Sequence, residues 1–355
     1  MDNETAWRVR SVVLSTLFLL VVAVPLYPEL FGLDEVTPFP QLVAFRPQLL
    51  AVVLLLALVM LVRRNWRLAS ALVVLLVLTG AVLTAPRAIS DPNPPQPGSR
   101  ALTVMVANVL GGGADPEQVG KLIRSQRPDL VSLPEAQVNV RERIQEELKG
   151  LGYNGYTVQA NSAPESATSV LVSASLGKVE FTADTLDPGR VNASVGSTEP
   201  ETGKPEPDKA GVVQQTTTRF GHIVVTGGTL GKLRLIAYHG YPPLPSEVTT
   251  WKQDLVVLRK WCSSGVPTVV AGDFNATTDH ADFRDALGKD CRSVGPAVGE
   301  GLQGTWPADR PAFARTQIDH VVAGVGVEPS RFKTYELDGS DHRAVVATVA
   351  VAKAG

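Results

Sequence analysis

Long apolar runs near the N-terminus give way to short alternating segments further along the chain. The runs cover residues 11–31, 47–62 and 68–85 and carry almost no charge. Each approaches the length that a helix needs to cross about 30 Å of hydrocarbon. We therefore predict three transmembrane helices in a membrane anchor that spans residues 1–86. The second run is short and is expected to start near Phe45, with the Arg46 side chain snorkelling toward water.

The charges around the three runs predict the orientation of the anchor, because basic flanks stay in the cytoplasm. Arginines precede the first run and separate the second from the third: Arg8, Arg10, Arg63, Arg64 and Arg67. The loop between the first two runs is acidic instead. We expect a multi-pass membrane protein with a cytoplasmic N-terminus and an extracytoplasmic C-terminal domain. A cleaved signal peptide is the alternative for the first run, although no small-residue cleavage site closes it.

A proline-rich segment separates the anchor from a domain with a different pattern. Residues 87–100 have few apolar positions, so we predict a semi-extended linker without a core. Residues 101–355 alternate short apolar runs with helical periodicity. Strands are expected near residues 102–107, 129–133, 169–173, 221–225, 233–238, 268–272, 318–323 and 344–351, and helices near 116–125, 138–151 and 245–263.

The order of these elements predicts the fold class. Strands outnumber helices and several follow one another directly, whereas a doubly wound parallel sheet needs a helix between most strands. We predict an α/β fold, a four-layered α/β sandwich of two packed mixed β-sheets flanked by helices. Residues 187–212 are rich in Pro, Gly, Glu, Lys and Ser, which indicates a flexible insertion, either a lid or plain disorder.

Charge and cysteine usage exclude some classes of protein. The 355 residues include 33 Lys and Arg against 35 Asp and Glu, a net charge of -2, which does not indicate a polyanion-binding protein. The cysteines, Cys262 and Cys291, lack C-x-x-C spacing, so a thiolate zinc site is not expected. A disulfide outside the cytoplasm and two separate buried thiols both remain open.

Polar side chains recur where the predicted strands end, and strands of one sheet can bring them to a common edge. The set comprises Asn108, Glu135, His239, Asp273, Asn275, Asp319, Asp341 and His342. Carboxylate and amide oxygens suit a hard cation such as Mg²⁺ or Mn²⁺. A metal, a carboxylate that holds water and histidines that donate to a developing charge together describe phosphoester hydrolysis.

The motifs around these residues occur in the order typical of one family. They are RPDLVSLPE ending at Glu135, Tyr238-His239, the GDFNA segment from Gly272, the QIDH segment ending at His320, and the GSDHR segment ending at Arg343. The chain resembles the endonuclease/exonuclease/phosphatase family, which is DNase I-like, and within it a membrane-anchored bacterial type. The resemblance covers the whole domain that follows the linker.

The resemblance implies a set of metal contacts. Glu135 would ligate the metal, Asn108 would lie beside the metal and the phosphate, and Asp341 would be a further ligand. Many relatives carry an acidic or amide contact where this chain has Leu110, which favours one ion over two. Pro134 stands where the family usually has Gln before the glutamate.

The resemblance also implies catalytic roles. Asp273 would orient or deprotonate the attacking water, and Asn275 would hold both water and phosphate. His239 and His342 would donate to the phosphoryl oxygens. Asp319 would hydrogen-bond the ring of His342 and fix its tautomer.

Other aromatic and histidine residues have weaker signals. Tyr241 is a candidate for stacking on a substrate, and Trp306 either lines the substrate cleft or packs inside the domain. His222 and His280 are expected to be structural. His320 alternates with Asp319 along its strand and is expected to face away from the site.

We therefore expect a Mg²⁺- or Mn²⁺-dependent phosphoesterase, either a phosphodiesterase or a phosphatase, at the outer face of the cytoplasmic membrane. A membrane-tethered site favours a phosphorylated lipid, a cell-envelope phosphate or another phosphorylated small molecule as substrate, and no protein partner is predicted. The first alternative is an extracellular membrane-tethered nuclease, although no basic stripe with interleaved aromatic residues favours nucleic acid. The second is a non-catalytic phospho-ligand-binding protein.

Overall fold

The computed structural model describes residues 3–62, 66–91, 93–184, 194–196 and 220–352. After the N-terminal helices, two β-sheets pack face to face around a shared core. The seven-stranded sheet contains, in spatial order, β12 (Val327–Tyr335), β13 (Ala344–Val351), β1 (Arg100–Val106), β2 (Leu130–Pro134), β4 (Ala167–Ser173), β3 (Tyr153–Gln159) and β6 (Ser194–Gly196). The six-stranded sheet contains β10 (Arg292–Ser293), β11 (Asp319–Ala323), β9 (Thr268–Asp273), β8 (Arg234–His239), β7 (His222–Gly227) and β5 (Val179–Asp184).

Helices cover the outer face of each sheet. Helices α5 (Pro116–Gln126) and α6 (Val138–Glu147) pack on the seven-stranded sheet, and α7 (Val248–Cys262) and α8 (Ala281–Leu287) pack on the six-stranded sheet. The short α9 (Val294–Ala297) follows β10. Each sheet mixes one parallel pair, β1 with β2 or β8 with β9, with antiparallel pairs. The predicted α/β sandwich of two mixed sheets flanked by helices is therefore confirmed.

Strand β1 shows how the sequence builds this layering. Leu102, Val104 and Val106 point into the core between the sheets. Met105 and Ala107 point to the opposite face and pack under the helices. Both faces of a central strand are thus covered, which is why its sequence is an apolar run and not an alternation of apolar and polar residues.

Several elements differ from the predicted pattern. Strands β3, β5, β6, β10 and β12 were not predicted. The sequence of β3 contains Asn154 and Gly155, and β12 is an edge strand with Pro329 beside a bulge, where a missing N–H is tolerated. The helix predicted over residues 138–151 ends at Glu147, and Gly150 then turns the chain with a φ of 83°.

The predicted insertion at residues 187–212 lies almost entirely outside the described residues. Within it, the structure describes Ser194–Gly196, the strand β6, which pairs with β3 at the edge of its sheet.

The N-terminal region contains α1 (Asn3–Leu26), α2 (Phe39–Val43), α3 (Arg46–Leu61) and α4 (Arg67–Thr84). Helices α1, α3 and α4 share a small apolar cluster that includes Leu26, Leu50 and Val77. By length and composition, one segment of the described chain, Ala69–Ala88, is long and apolar enough to cross a membrane. The apolar segments Ser15–Leu26 and Arg46–Leu61 are shorter, so three transmembrane helices stay a prediction.

The loop between α1 and α3 docks onto the sandwich through buried ion pairs. Arg46 lies at the start of α3 and does not snorkel, because its guanidinium is fully buried. It pairs with Glu29 at 2.7 Å and with Asp279 at 3.7 Å. Arg87, just after α4, pairs with the other oxygen of Asp279. One carboxylate therefore ties both ends of the α3–α4 hairpin to the sandwich.

The beginning of the predicted linker also packs against the sandwich. The N–H of Asp91 donates to the carbonyl of Ala297 at 3.0 Å, and Ser90 forms a β-bridge with Val298. Residues 85–91 are therefore held in place, unlike a freely extended tether.

A disulfide joins the two cysteines of the chain. Cys262 ends α7 and Cys291 directly precedes β10, with 5.5 Å between their Cα atoms. The bond encloses β9 and α8 in one covalent loop. Of the two states that the sequence left open, the structure has the disulfide.

The ion pairs of Asp279 predict a stability effect. Replacing Asp279 with Ala leaves Arg46 and Arg87 buried without their shared partner, a change that costs about 3–5 kcal/mol. We expect a clear drop in the midpoint of thermal unfolding of the full chain. The matched control is Asp285→Ala, since the side chain of Asp285 is 72% exposed. Equal midpoints for the two variants would contradict the docking described here.

Candidate active site

Strand register places three of the predicted residues side by side at one end of the six-stranded sheet. His239 at the end of β8 pairs with Asp273 at the end of β9, and Asp273 pairs with Asp319 at the start of β11. Neighbouring strands lie about 4.8 Å apart, so the three side chains share one edge. All three residues are buried.

The amide of Asn108 connects this edge to the other sheet. Asn108 follows β1, and its Nδ2 donates to Oε1 of Glu135 at 3.0 Å and to Oδ2 of Asp273 at 3.1 Å. Glu135 follows β2 in the seven-stranded sheet, whereas Asp273 belongs to the six-stranded sheet. The ends of both sheets therefore form a single site.

Backbone conformation at two positions aims side chains into the site. Glu135 and Asn275 have positive φ values of 62° and 48°. Asparagine tolerates this region, but for glutamate it costs about 1 kcal/mol or more, and such strain is concentrated at functional sites. The N–H of Asn275 donates to Oδ1 of Asp273 at 2.8 Å, and its side chain donates to the carbonyl of Gly240 at 3.0 Å.

Asp319 and His342 form a hydrogen-bonded dyad. The Nδ1–H of His342 donates to Oδ2 of Asp319 at 2.9 Å. The hydroxyl oxygen of Thr305 accepts from the N–H of Asp319 at 3.2 Å and holds the start of β11. Nε2 of His342 then points to Asp273, 3.7 Å from Oδ2, while Nε2 of His239 lies 3.9 Å from the same oxygen. Two imidazoles thus flank one carboxylate.

Burial and neighbouring charges shift the pKa values of the two histidines in opposite directions. Burial, reinforced by the charge of His342, lowers the pKa of His239 to about 3, so this ring is neutral. Burial alone would also lower the pKa of His342, but Asp319 and Asp273 outweigh burial and raise it, so this ring is a cation. Burial, followed by the charge of Asp319, raises the pKa of Asp273.

A second group of oxygen atoms offers ligands for a cation. Burial raises the pKa of Glu135, and the charge of Asp341 contributes to the rise. Oδ2 of Asp341 accepts from the indole N–H of Trp306 at 3.0 Å, while its buried Oδ1 has no hydrogen-bond partner in the described part of the chain. Together with Asn108 these acidic oxygens fit a hard divalent ion.

Asp273, Asp319 and His342 form a further possible cation site, because one ligand atom of each lies within 4.8 Å of the others. A hydrogen bond already joins two of these residues, Asp319 and His342. The contacts of these three residues suit proton transfer and charge stabilisation, whereas the oxygen atoms of Glu135, Asn108 and Asp341 suit a metal ion.

The remaining predicted residues lie around this centre. Phe220 stacks on His239 with ring centroids 4.5 Å apart, and the ring of Tyr241 packs on Phe220 at 5.2 Å. Tyr241 is therefore linked to His239 indirectly, through the ring of Phe220. Trp306 lies in the site itself, since it holds Asp341. Leu110 is exposed and has a φ of 48°.

The other histidines lie away from the site and make structural contacts. Nε2 of His320 donates to the carbonyl of Ala276 at 2.9 Å, on the opposite face from Asp319. His222 contacts the ring of Trp261. Nε2 of His280 donates to the carbonyl of Pro40 in the loop between α1 and α3, residues 27–45, which we call the anchor loop.

The sequence patterns missed several supporting residues. Ser340 donates to the carbonyl of Asn108 at 2.8 Å and so joins the last motif to the first. Thr305 holds Asp319, and the carbonyl of Gly240 orients Asn275. Ser340 belongs to a motif that the sequence already marked, whereas Thr305 and Gly240 give no local signal.

One end of the four-layered α/β sandwich carries oxygen ligands, two imidazoles and a buried carboxylate between them. Together these groups define a phosphoester hydrolase. A sequence model described as the endonuclease/exonuclease/phosphatase family matches residues 105–342. The chain belongs to this family, whose members are metal-dependent hydrolases that act on phosphoester bonds.

Solved structures show the same fold. A D. rerio TDP2 humanized by 14 mutations is 18% identical with a TM-score of 0.50, over 70% of this chain and 98% of that one. An endonuclease/exonuclease/phosphatase from Beutenbergia cavernae is 19% identical with a TM-score of 0.50, over 71% and 72%. One from Bacteroides vulgatus is 14% identical with a TM-score of 0.50, over 71% and 100%. No curated protein matches the sequence significantly.

From the Asp319–His342 dyad we expect that a small change in the Asp319 side chain causes a large loss of activity. Asp319→Asn keeps the size of the side chain but removes the charge that orients and protonates His342. We expect kcat on a p-nitrophenyl phosphoester to fall about 10³- to 10⁴-fold, as when the carboxylate behind a catalytic histidine is neutralised. Asp338→Asn, on an exposed residue, is the matched control and should leave kcat unchanged. A fall of less than tenfold in Asp319→Asn would contradict the role of the dyad.

Proposed function

We propose that the chain is a phosphoesterase that uses one Mg²⁺ or Mn²⁺ ion at the outer face of the cytoplasmic membrane, on a lipid-linked or cell-envelope phosphate. One observation carries the catalytic part. The side-chain amide of Asn108 donates one hydrogen bond to Glu135, a carboxylate that would bind the metal. It donates another to Asp273, the carboxylate flanked by two imidazoles.

Glu135, Asp341 and Asn108 would hold the ion. Bound there, it would offset the charge that builds up on the phosphoryl oxygens. Trp306 keeps Asp341 turned toward this position through its indole N–H. Leu110 offers no ligand atom, which supports one ion over two.

The remaining residues bind and orient the reactants and move a proton. Asp273 would accept the proton of the attacking water, since its carboxylate lies beside Nε2 of both His239 and His342. Asn275 orients the water and a phosphoryl oxygen from its fixed position beside Asp273. The cationic His342 donates to the developing negative charge, and the neutral His239 donates a second hydrogen bond from the other side.

The surface of the N-terminal helices supports a location in the membrane. Apolar side chains remain exposed on α1, α3 and α4, among them Val21 at 70%, Leu55 at 64% and Val82 at 72%. Such helices in a soluble protein would carry polar residues on that face. The disulfide between Cys262 and Cys291 favours an oxidising compartment for the sandwich. Basic residues near Arg8 and Arg67 favour a cytoplasmic N-terminus.

Exposed apolar residues in two loops of the sandwich support a position of these loops against the lipid. Phe313 is 79% exposed, and Leu302 is also exposed. Both line a cavity of about 460 Å³ together with Ala51 and Val52 of α3. Apolar side chains of the catalytic domain thus continue the apolar surface of a proposed membrane helix, which favours a substrate presented by the membrane.

Substitutions and metal removal test the chemistry. We expect the full chain in lipid nanodiscs to hydrolyse bis-p-nitrophenyl phosphate, p-nitrophenyl phosphate or a phospholipid in the presence of Mg²⁺ or Mn²⁺. Chelation should abolish turnover and added metal should restore it. Glu135→Ala and Asp273→Ala should each lower kcat by about 10³-fold or more.

Glu117→Ala is the matched control, because Glu117 is an exposed acidic residue of α5. Turnover that survives both active-site substitutions would overturn the assignment. Preferential cleavage of plasmid DNA would favour the nuclease alternative, and an inert wild type would favour the binding protein.

The topology has a separate test. Alkaline phosphatase fused after the last residue, Gly355, should be active, because it folds only outside the cytoplasm, whereas β-galactosidase at the same point should be inactive. The opposite result would place the sandwich in the cytoplasm and contradict the proposed location without affecting the proposed chemistry.

A further inference from the structure

A cavity of about 260 Å³ lies between the anchor loop and the catalytic domain, directly beside the active site. We call it the loop cavity. Its anchor side is formed by Pro40, Gln41, Ala44 and Phe45, which come from α2 and the turn that leads into α3. Its other side belongs to the sandwich and includes Asn275.

Hydrogen bonds from the sandwich hold the anchor wall in place. Nε2 of His280 donates to the carbonyl of Pro40 at 2.8 Å. Thr316 donates to the carbonyl of Ala44 at 2.6 Å, and Gln41 donates back to the carbonyl of Pro243. With Arg46 buried next to these contacts, the wall is a fixed part of the fold.

The loop cavity and the catalytic centre share two residues. Asn275 lines the cavity and is hydrogen-bonded to Asp273. Trp306 lines the cavity, packs on Phe45 with ring centroids 6.3 Å apart, and donates its N–H to Asp341. A phosphate held at Asn275 would therefore present one of its substituents to the cavity.

The lining of the cavity indicates what that substituent is. Proline, alanine, leucine and aromatic side chains dominate it. Burial lowers the pKa of His280, so this ring adds no cation. One polar atom stands out, since Oε1 of Gln41 is buried and has no hydrogen-bond partner among the described residues. An apolar pocket with one buried acceptor suits an alkyl or aryl group that carries a single donor.

We propose that the loop cavity binds the apolar group esterified to the phosphate, so that the anchor loop forms part of the substrate site and selects for it. This proposal rests on the proposed phosphoesterase function and names its substrate class, a phosphoester in which an ester oxygen carries an alkyl or aryl group. Phe45 and Ala44 are the specificity-determining residues. They have no part in the chemistry of the reaction.

A binding series tests the proposal without relying on turnover. The full chain in nanodiscs, with Mg²⁺, is titrated by calorimetry with alkylphosphonates from methyl to hexyl, and empty nanodiscs give the correction for partitioning. Affinity should rise about three- to fourfold per methylene until the cavity is full. Ala44→Phe fills the cavity and should remove this dependence. Phe45→Ala should weaken hexylphosphonate roughly tenfold and leave methylphosphonate unchanged.

Phe31→Ala is the matched control, because Phe31 is an exposed phenylalanine of the same loop that does not line the cavity. Affinities that do not depend on chain length, or a dependence that persists in both Ala44→Phe and Phe45→Ala, would overturn the subsite.

Turnover of methyl p-nitrophenyl phosphate is measured in parallel. Turnover without any effect of chain length on binding rejects the subsite alone. Absence of turnover with an intact binding series rejects the proposed reaction and leaves the apolar subsite supported.

Discussion

The buried acidic cluster at one end of the sandwich is the constraint on which the site depends. Carboxylates from both sheets meet there, and uncompensated charges in such a position would be costly. Asn108 offsets part of this cost by donating both amide hydrogens, one to Glu135 and one to Asp273. The protonated ring of His342 supplies a positive charge beside Asp273 and Asp319. The strand register and the positive φ of Glu135 serve to bring these groups within hydrogen-bond distance.

The local sequence pattern predicted the strands that are buried on both faces. The buried strands β1 and β9 have apolar sequences. Strand β9 ends at Asp273, and Asn108 follows two residues after the end of β1, and the sequence singled out both polar residues. Edge strands such as β12 were missed because exposure permits proline and charge. Contacts between distant segments were missed for another reason. No pattern near Arg46 indicates Asp279, and nothing near Trp306 indicates its hydrogen bond to Asp341.

The N-terminal helices are joined to the sandwich at both ends of the α3–α4 hairpin. Arg46 and Arg87 lie at the two ends of the α3–α4 hairpin and share the carboxylate of Asp279, which follows shortly after Asn275 in the chain. The orientation of the hairpin is thus coupled to the segment that holds Asn275. Lys252 adds a more exposed contact from α7 to Glu35 in the anchor loop, with 2.5 Å between the charged atoms. Rotation of the N-terminal helices relative to the sandwich would have to break these ion pairs.

The hydrogen bond from His280 to Pro40 also has a consequence for biosynthesis. Its partners are separated by 240 residues in sequence, so Pro40 leaves the ribosome long before His280 exists. At about 5–20 residues per second this delay is roughly 10–50 s. Helices α1 and α2 are therefore made before the sandwich side of the loop cavity exists. The cavity is completed only when synthesis has passed Ile318, because Trp306, Thr316 and Ile318 also line it, so the loop between α1 and α3 reaches its final form late in synthesis.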